Sequence, residues 1–119
     1  MDKTPQELKK RTKVFARRII RLYVSLPKDT VAQVLGRQMR RSGTSVGVNY
    51  REANYGRSKS EFVSKMGDSL KELEETSYWL ELLADECIVR RDKMELLLDE
   101  TSQLNAIFTA IIKKSRGSP

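Results

Sequence analysis

Leu8, Phe15 and Leu22 stand seven residues apart, interleaved with Ile19 and Leu26, and stripes of the same kind return twice further along the chain. Phe62, Met66, Leu70, Leu73, Leu80 and Ala84 share one arc, and Leu97, Leu104 and Ile111 run beside Met94, Thr101 and Phe108. At about 100° per residue, each set falls on a single side of a helix, and such a stripe leaves water only by packing against other helices. The period-2 alternation of a half-buried strand is absent, so the pattern predicts an all-α chain.

Capping signals divide the pattern into four helices. Thr4-Pro5-Gln6-Glu7 has an N-cap threonine, proline at the first helical position and glutamate three residues after the cap. Ser58-Lys59-Ser60-Glu61 repeats the arrangement, and Asp92-Lys93-Met94-Glu95 is an acidic version of it. Pro27 stops the first helix near Leu26, and Asp29 or Thr30 caps the next. The expected helices are 5–26, 30–56, 59–87 and 93–114, in one bundle domain over 1–114 with a flexible basic tail at 115–119. Long amphipathic helices on short connections predict an antiparallel up-down-up-down four-helix bundle.

A chain of 119 residues suits one domain with one core. No run approaches the roughly 20 apolar residues of a membrane span, and the charged N-terminus lacks the apolar stretch of a secretory signal. Cys87 is the single cysteine, so no intrachain disulfide can form. Together these lead us to expect a soluble, cytoplasmic protein.

Several kinds of chemistry are disfavoured. Histidine is absent, removing the commonest general base and the commonest metal ligand. Asp68, Glu72, Glu75 and Glu86 lie off the apolar arc of their helix, where a carboxylate metal site would need them turned inward. Gly36, Gly43 and Gly47 sit in a helical pattern and not in a strand-to-helix turn, so they do not form a phosphate loop. Ser42 and Ser45 have no base to activate them. No enzyme, metal site or cofactor is expected.

Charge is the most informative remaining property. The formal net charge is +7; residues 1–60 hold 15 Lys and Arg against 4 Asp and Glu, and residues 61–119 hold 8 against 12. Lys9, Lys10, Lys13, Arg17 and Arg21 fall opposite the apolar stripe of the first helix, and Arg37, Arg40 and Arg51 lie together on the second. A surface of one sign suits phosphate backbones, with little sequence preference, and Tyr50 and Tyr55 are the nearest candidates for stacking on an unpaired base. Two other readings stand beside this one: pairing with acidic third-helix faces of neighbouring copies, and plain solvation of the bundle.

The second helix carries two unusual seams. Gln38, Ser42, Ser45, Asn49 and Glu52 recur at steps of four and three, bordered by Val34, Leu35, Met39, Val46 and Ala53, so this polar stripe is expected to face the interior. There it would need partners, for which Ser69, Thr76, Ser77 and the Trp79 indole are candidates. Gly36, Gly43, Gly47 and Asn54 form the other seam, which suggests close approach of a backbone, from within the bundle or from another copy. Trp79, Leu82 and Leu83 extend beyond the third-helix arc as candidate oligomer-interface residues.

The stretches "RIIRLYVSLPK", "GRQMRRSGTSVGVNYREA", "RSKSEFVSKMGDSLKELEETSYWLELL" and "IFTAIIKKSR" together resemble the bacterial four-helix bundle proteins encoded in intervening sequences of large-subunit ribosomal RNA genes. The resemblance covers nearly the whole chain and implies a homopentameric barrel with no established reaction. It extends to the accessory proteins of diversity-generating retroelements, related pentamers that bind nucleic acid and a reverse transcriptase. The run "ECIVRRD" departs from the pattern, because relatives often have a glycine-containing turn there.

The combined expectation is a homo-oligomeric scaffold, a pentamer by resemblance, that binds structured RNA or RNA–DNA intermediates through its basic faces, with a reverse transcriptase as a further partner. The alternative is a structural oligomer whose basic and acidic faces pair between subunits.

Overall fold

Three of the four helices start where a side chain satisfies the otherwise unpaired backbone N–H groups of the first turn. The computed structural model describes residues 4–117 and comprises α1 (Pro5–Ser25), α2 (Thr30–Asn54), α3 (Lys59–Asp85) and α4 (Arg91–Arg116). Thr4 accepts from the Glu7 amide while the Glu7 carboxylate returns to the Thr4 backbone, a reciprocal capping box. Asp29 accepts from Ala32 N–H, and Ser58 from Glu61 N–H. The local sequence is sufficient to place these three starts.

The fourth start differs from expectation. α4 begins at Arg91 with Arg90 as its N-cap and no side-chain cap; Asp92 lies inside the first turn, 2.7 Å from the Arg90 guanidinium. The cause is the preceding turn. Cys87 adopts φ 59°, its N–H reaches the Ala84 carbonyl, and the N–H groups of Ile88 and Val89 reach that of Leu83. This left-handed closure ends α3 at Asp85 and turns Val89 into the core, so α4 resumes earlier than Asp92 could cap it.

The expected tail is also corrected. α4 continues through Arg116, with Lys113, Lys114 and Arg116 in its last turn and Gly117 at φ 48° closing it. Cations at a helix C-terminus complement the exposed carbonyls, which favours the longer helix. Ser118 and Pro119 lie outside the described residues.

The helices pack as a four-helix all-α bundle of about 49 × 22 × 20 Å, with no strand among the described residues. Contacts run in opposed chain order. Along α2, Gly36 meets Tyr23 of α1 and Leu26 just beyond its end, Gly43 meets Ile19, and Gly47 meets Thr12. On its other flank, α2 meets α3 through Ser42 and Thr76, then Val46 and Ser69, then Glu52 and Lys65. The core contains Leu8, Phe15, Ile19, Met39, Val46, Met66, Leu73, Leu80, Met94, Leu104 and Phe108, all but fully buried. Each such side chain contributes roughly 1.5–3 kcal/mol of burial. Tyr50 belongs to this core: its ring stacks on Phe108 at 5.6 Å and 11°.

α1 and α4 touch least among the adjoining helices. Arg11 bridges them, donating from Nε and Nη2 to both carboxylate oxygens of Glu100 at 2.7 and 2.8 Å, and from Nη2 to Gln103. Bidentate geometry and partial burial make this stronger than an ordinary surface pair.

Candidate nucleic-acid interface

The glycine seam determines how α1 and α2 lie together. A Cβ on Gly43 would stand 2.8 and 2.9 Å from Ile19 side-chain carbons, and one on Gly36 would stand 2.5 Å from Leu26. The seam therefore serves the α1–α2 contact within the chain. Gly36 and Gly43 are buried there and unavailable to another copy, and Gly47 packs on Thr12. Leu83 is likewise fully buried in the core, whereas Trp79 and Leu82 are only half-buried.

Where the two helices converge, a shallow groove of about 230 Å³ opens outward, lined by Thr12, Lys13, Ala16, Thr44, Gly47, Val48 and Arg51. Lys13 and Arg51 stand on its opposite walls. One turn further along each helix, the Lys9 ammonium lies 5.5 Å from the centre of the Tyr55 ring. Towards the other end, the Arg40 guanidinium lies 4.6 Å from the Tyr23 ring. Such cation–π contacts orient a charged group without neutralising it.

All eight expected cations lie on these two helices: Lys9 is half-buried, and Lys10, Lys13, Arg17, Arg21, Arg37, Arg40 and Arg51 are exposed. Lys13 and Arg51 line the groove, Lys9 and Arg40 lie on the tyrosines beyond its two ends, and helical spacing puts Lys10, Arg17 and Arg21 on the outer back of α1. The decisive feature is pairing. Among the described residues none of the eight forms an ion pair, whereas Arg41 is held by Glu72 and Glu75 and Lys65 by Glu52. Acids are spent on the α2–α3 side, and the α1–α2 side keeps its charge.

The polar stripe of α2 is displaced from its expected place. Ser42 alone is fully buried; Gln38, Ser45 and Asn49 are half-buried, Glu52 is exposed, and Val34 is 49% exposed. The interior arc is Met39, Ser42, Val46, Tyr50 and Ala53, and the stripe is centred about 80° away from it, on the flank that meets α3. Thr76 donates to Ser42 and so pairs with the stripe as expected, whereas Ser69 donates to the Val46 backbone carbonyl and to no side chain of the stripe. The other two expected partners are engaged elsewhere. The Trp79 indole donates to Glu75, and Ser77 lies in the α3–α4 crevice with Thr101 and Ser102. Among the described residues no buried side-chain nitrogen or oxygen lacks a partner.

Two contributors escape a reading of single helices: Tyr23, whose role as the platform for Arg40 depends on α2, and Arg11, whose partner Glu100 is distant in sequence. No three His, Cys, Asp or Glu side chains among the described residues are grouped to hold a metal ion, and no described helix is long and apolar enough to cross a membrane.

Fold and surface together define a small four-helix bundle protein with a basic side of one sign. Residues 5–110 match the family described as 23S rRNA-intervening sequence protein, and the chain belongs to that family. It is similar to a crystal structure from Bacteroides thetaiotaomicron, a protein of unknown function from the S23 ribosomal protein family, with 36% identity and a TM-score of 0.85 over 91% of this chain and 96% of the other. Neither comparison indicates an enzymatic family. Among curated proteins none matches the sequence.

Proposed function

We propose that this protein is a non-enzymatic, oligomeric nucleic-acid-binding scaffold that uses the α1–α2 side to hold structured RNA or an RNA–DNA intermediate. The observation that carries the reading is the set of eight cations on two adjoining helices with no carboxylate partner among the described residues. An unopposed cationic side releases counterions when phosphates replace them, so binding is strong at low salt and weakly sequence-dependent. The opposed contacts of neighbouring helices support an antiparallel up-down-up-down arrangement. Exposed Val24, Val31, Val48 and Leu96 support self-association, and the sequence resemblance supports a pentameric barrel. That resemblance is also the support for a reverse transcriptase as protein partner, while the lack of a long apolar run in the sequence supports a cytoplasmic location.

Mobility shifts across a salt series, for the parent and an Arg17/Arg21/Arg40 triple alanine variant, test this reading. The variant is expected to bind more weakly, with a shallower dependence of log affinity on log salt. Equal binding by parent and variant, or none by the parent near physiological salt, would remove the nucleic-acid assignment.

A second reading has its own observation: Glu74 and Glu81 on α3 are exposed and unpaired among the described residues. They suit the basic side of a neighbouring copy, making the protein a structural oligomer. Salt would then dissociate the oligomer itself, which mass measurement across the same series detects.

A further inference from the structure

Resting on the nucleic-acid reading, we infer that Tyr55 is a stacking platform for one unpaired base, so that the α1–α2 side prefers a single-stranded segment over a blunt duplex. Tyr55 is 77% exposed at the C-terminal end of α2. The backbone beneath it is fixed: its N–H reaches the Glu52 carbonyl, the Gly56 N–H reaches Ala53, and the Glu61 carboxylate accepts from Arg57 N–H at 3.0 Å. A short, pinned connection presents the ring with little freedom left to lose on binding.

The surroundings match the chemistry of a nucleotide. Lys9 approaches the Tyr55 ring, and one turn along each helix, about 5.4 Å away, Lys13 and Arg51 stand across the groove floored by Gly47. Arg57 follows two residues later and is exposed. A base on the accessible face of Tyr55 would leave its flanking phosphates to these cations. Base–aromatic stacking is tolerant of sequence because every base has a π-face. Inside a duplex both faces of each base are covered by neighbouring pairs, and a blunt duplex leaves open only the outer face of each terminal pair.

No other tyrosine offers the same combination. Tyr50 is buried against Phe108. Tyr23 packs over Gly36 and donates its hydroxyl to Gln33. Tyr78 is exposed, but Glu74 and Glu81 adjoin it on the same helical face, which would repel phosphate.

The test compares a labelled oligouridylate with a blunt RNA duplex of equal length, using fluorescence anisotropy on the parent, Tyr55→Ala and Tyr55→Phe. Tyr55→Ala is expected to weaken single-strand binding about ten-fold and to leave duplex binding within about two-fold, with Tyr55→Phe behaving as the parent. A Tyr55→Ala variant that binds both probes like the parent, or loses both equally, overturns the platform while the basic-side reading survives. A parent that binds neither probe overturns both. The ring is exposed, so circular dichroism is expected to be unchanged in either variant.

Discussion

The hydroxyl oxygens of Thr76 and Ser42 lie 2.8 Å apart across the α2–α3 interface, both side chains fully buried. Each also reaches a carbonyl four residues back in its own helix, Glu72 for Thr76 and Gln38 for Ser42. With one proton each, the pair shares one bond between helices and directs the other to a backbone carbonyl.

Removing either hydroxyl is therefore expected to cost about 1 kcal/mol, because the partner retains its carbonyl contact. Ser42→Ala and Thr76→Val should be non-additive, the double variant losing less than the summed singles by about 0.5 kcal/mol or more. Urea denaturation of the four proteins checks this. Strict additivity would mean that the contact contributes nothing between helices.

Glycine substitutions should divide by location. A Cβ on Gly43 meets Ile19 at 2.8 Å, whereas one on Gly67 finds nothing within 4 Å. Gly67→Ala is expected to stabilise by about 1 kcal/mol through helix propensity. Gly43→Ala should destabilise by about 1–3 kcal/mol, because overpacking exceeds that gain. Thermal melts in which both variants move the same way would contradict this account of the seam.

Cys87 holds a left-handed conformation that favours glycine. Cys87→Gly should raise the stability by about 1 kcal/mol, read as a higher Tm. In "ECIVRRD" the left-handed position is thus held by a residue less suited to it than glycine.

Glu75 supplies a pH dependence. The Trp79 indole N–H, and then Arg41, hold its carboxyl below the ordinary value of 4.5, against a contribution from burial that raises it. A depressed folded pKa means that the associated stability is present above the unfolded value and is lost as pH falls through the folded one. Trp79 is the only tryptophan, so its emission should change in a step below about pH 4.5. Glu75→Gln should abolish the step; its persistence would assign it to another group.

How much of this was legible in the sequence varies with the range of the interaction responsible. Thr4, Asp29 and Ser58 place three helix starts because a cap and its amide are three residues apart, and the heptad stripes define an all-α bundle because periodicity is local. The eight cations could likewise be assigned to the outer side of the first two helices. The start of α4 was not legible, because burial of Val89 overrides the capping preference of Asp92.

The sequence by itself determined the helices, their polar and apolar arcs, and the excess of positive charge in the first half. Only the tertiary structure decided that the α2 stripe lies on the α3 flank, that the glycines are used against α1, and that Tyr55 stands beside Lys9 with its ring exposed. The reason is that a helix carries its arcs wherever it goes. Which arc becomes the interior depends on the rotation at which Ile19, Thr12 and Thr76 meet it from neighbouring helices, and those contacts join residues 24–35 positions apart.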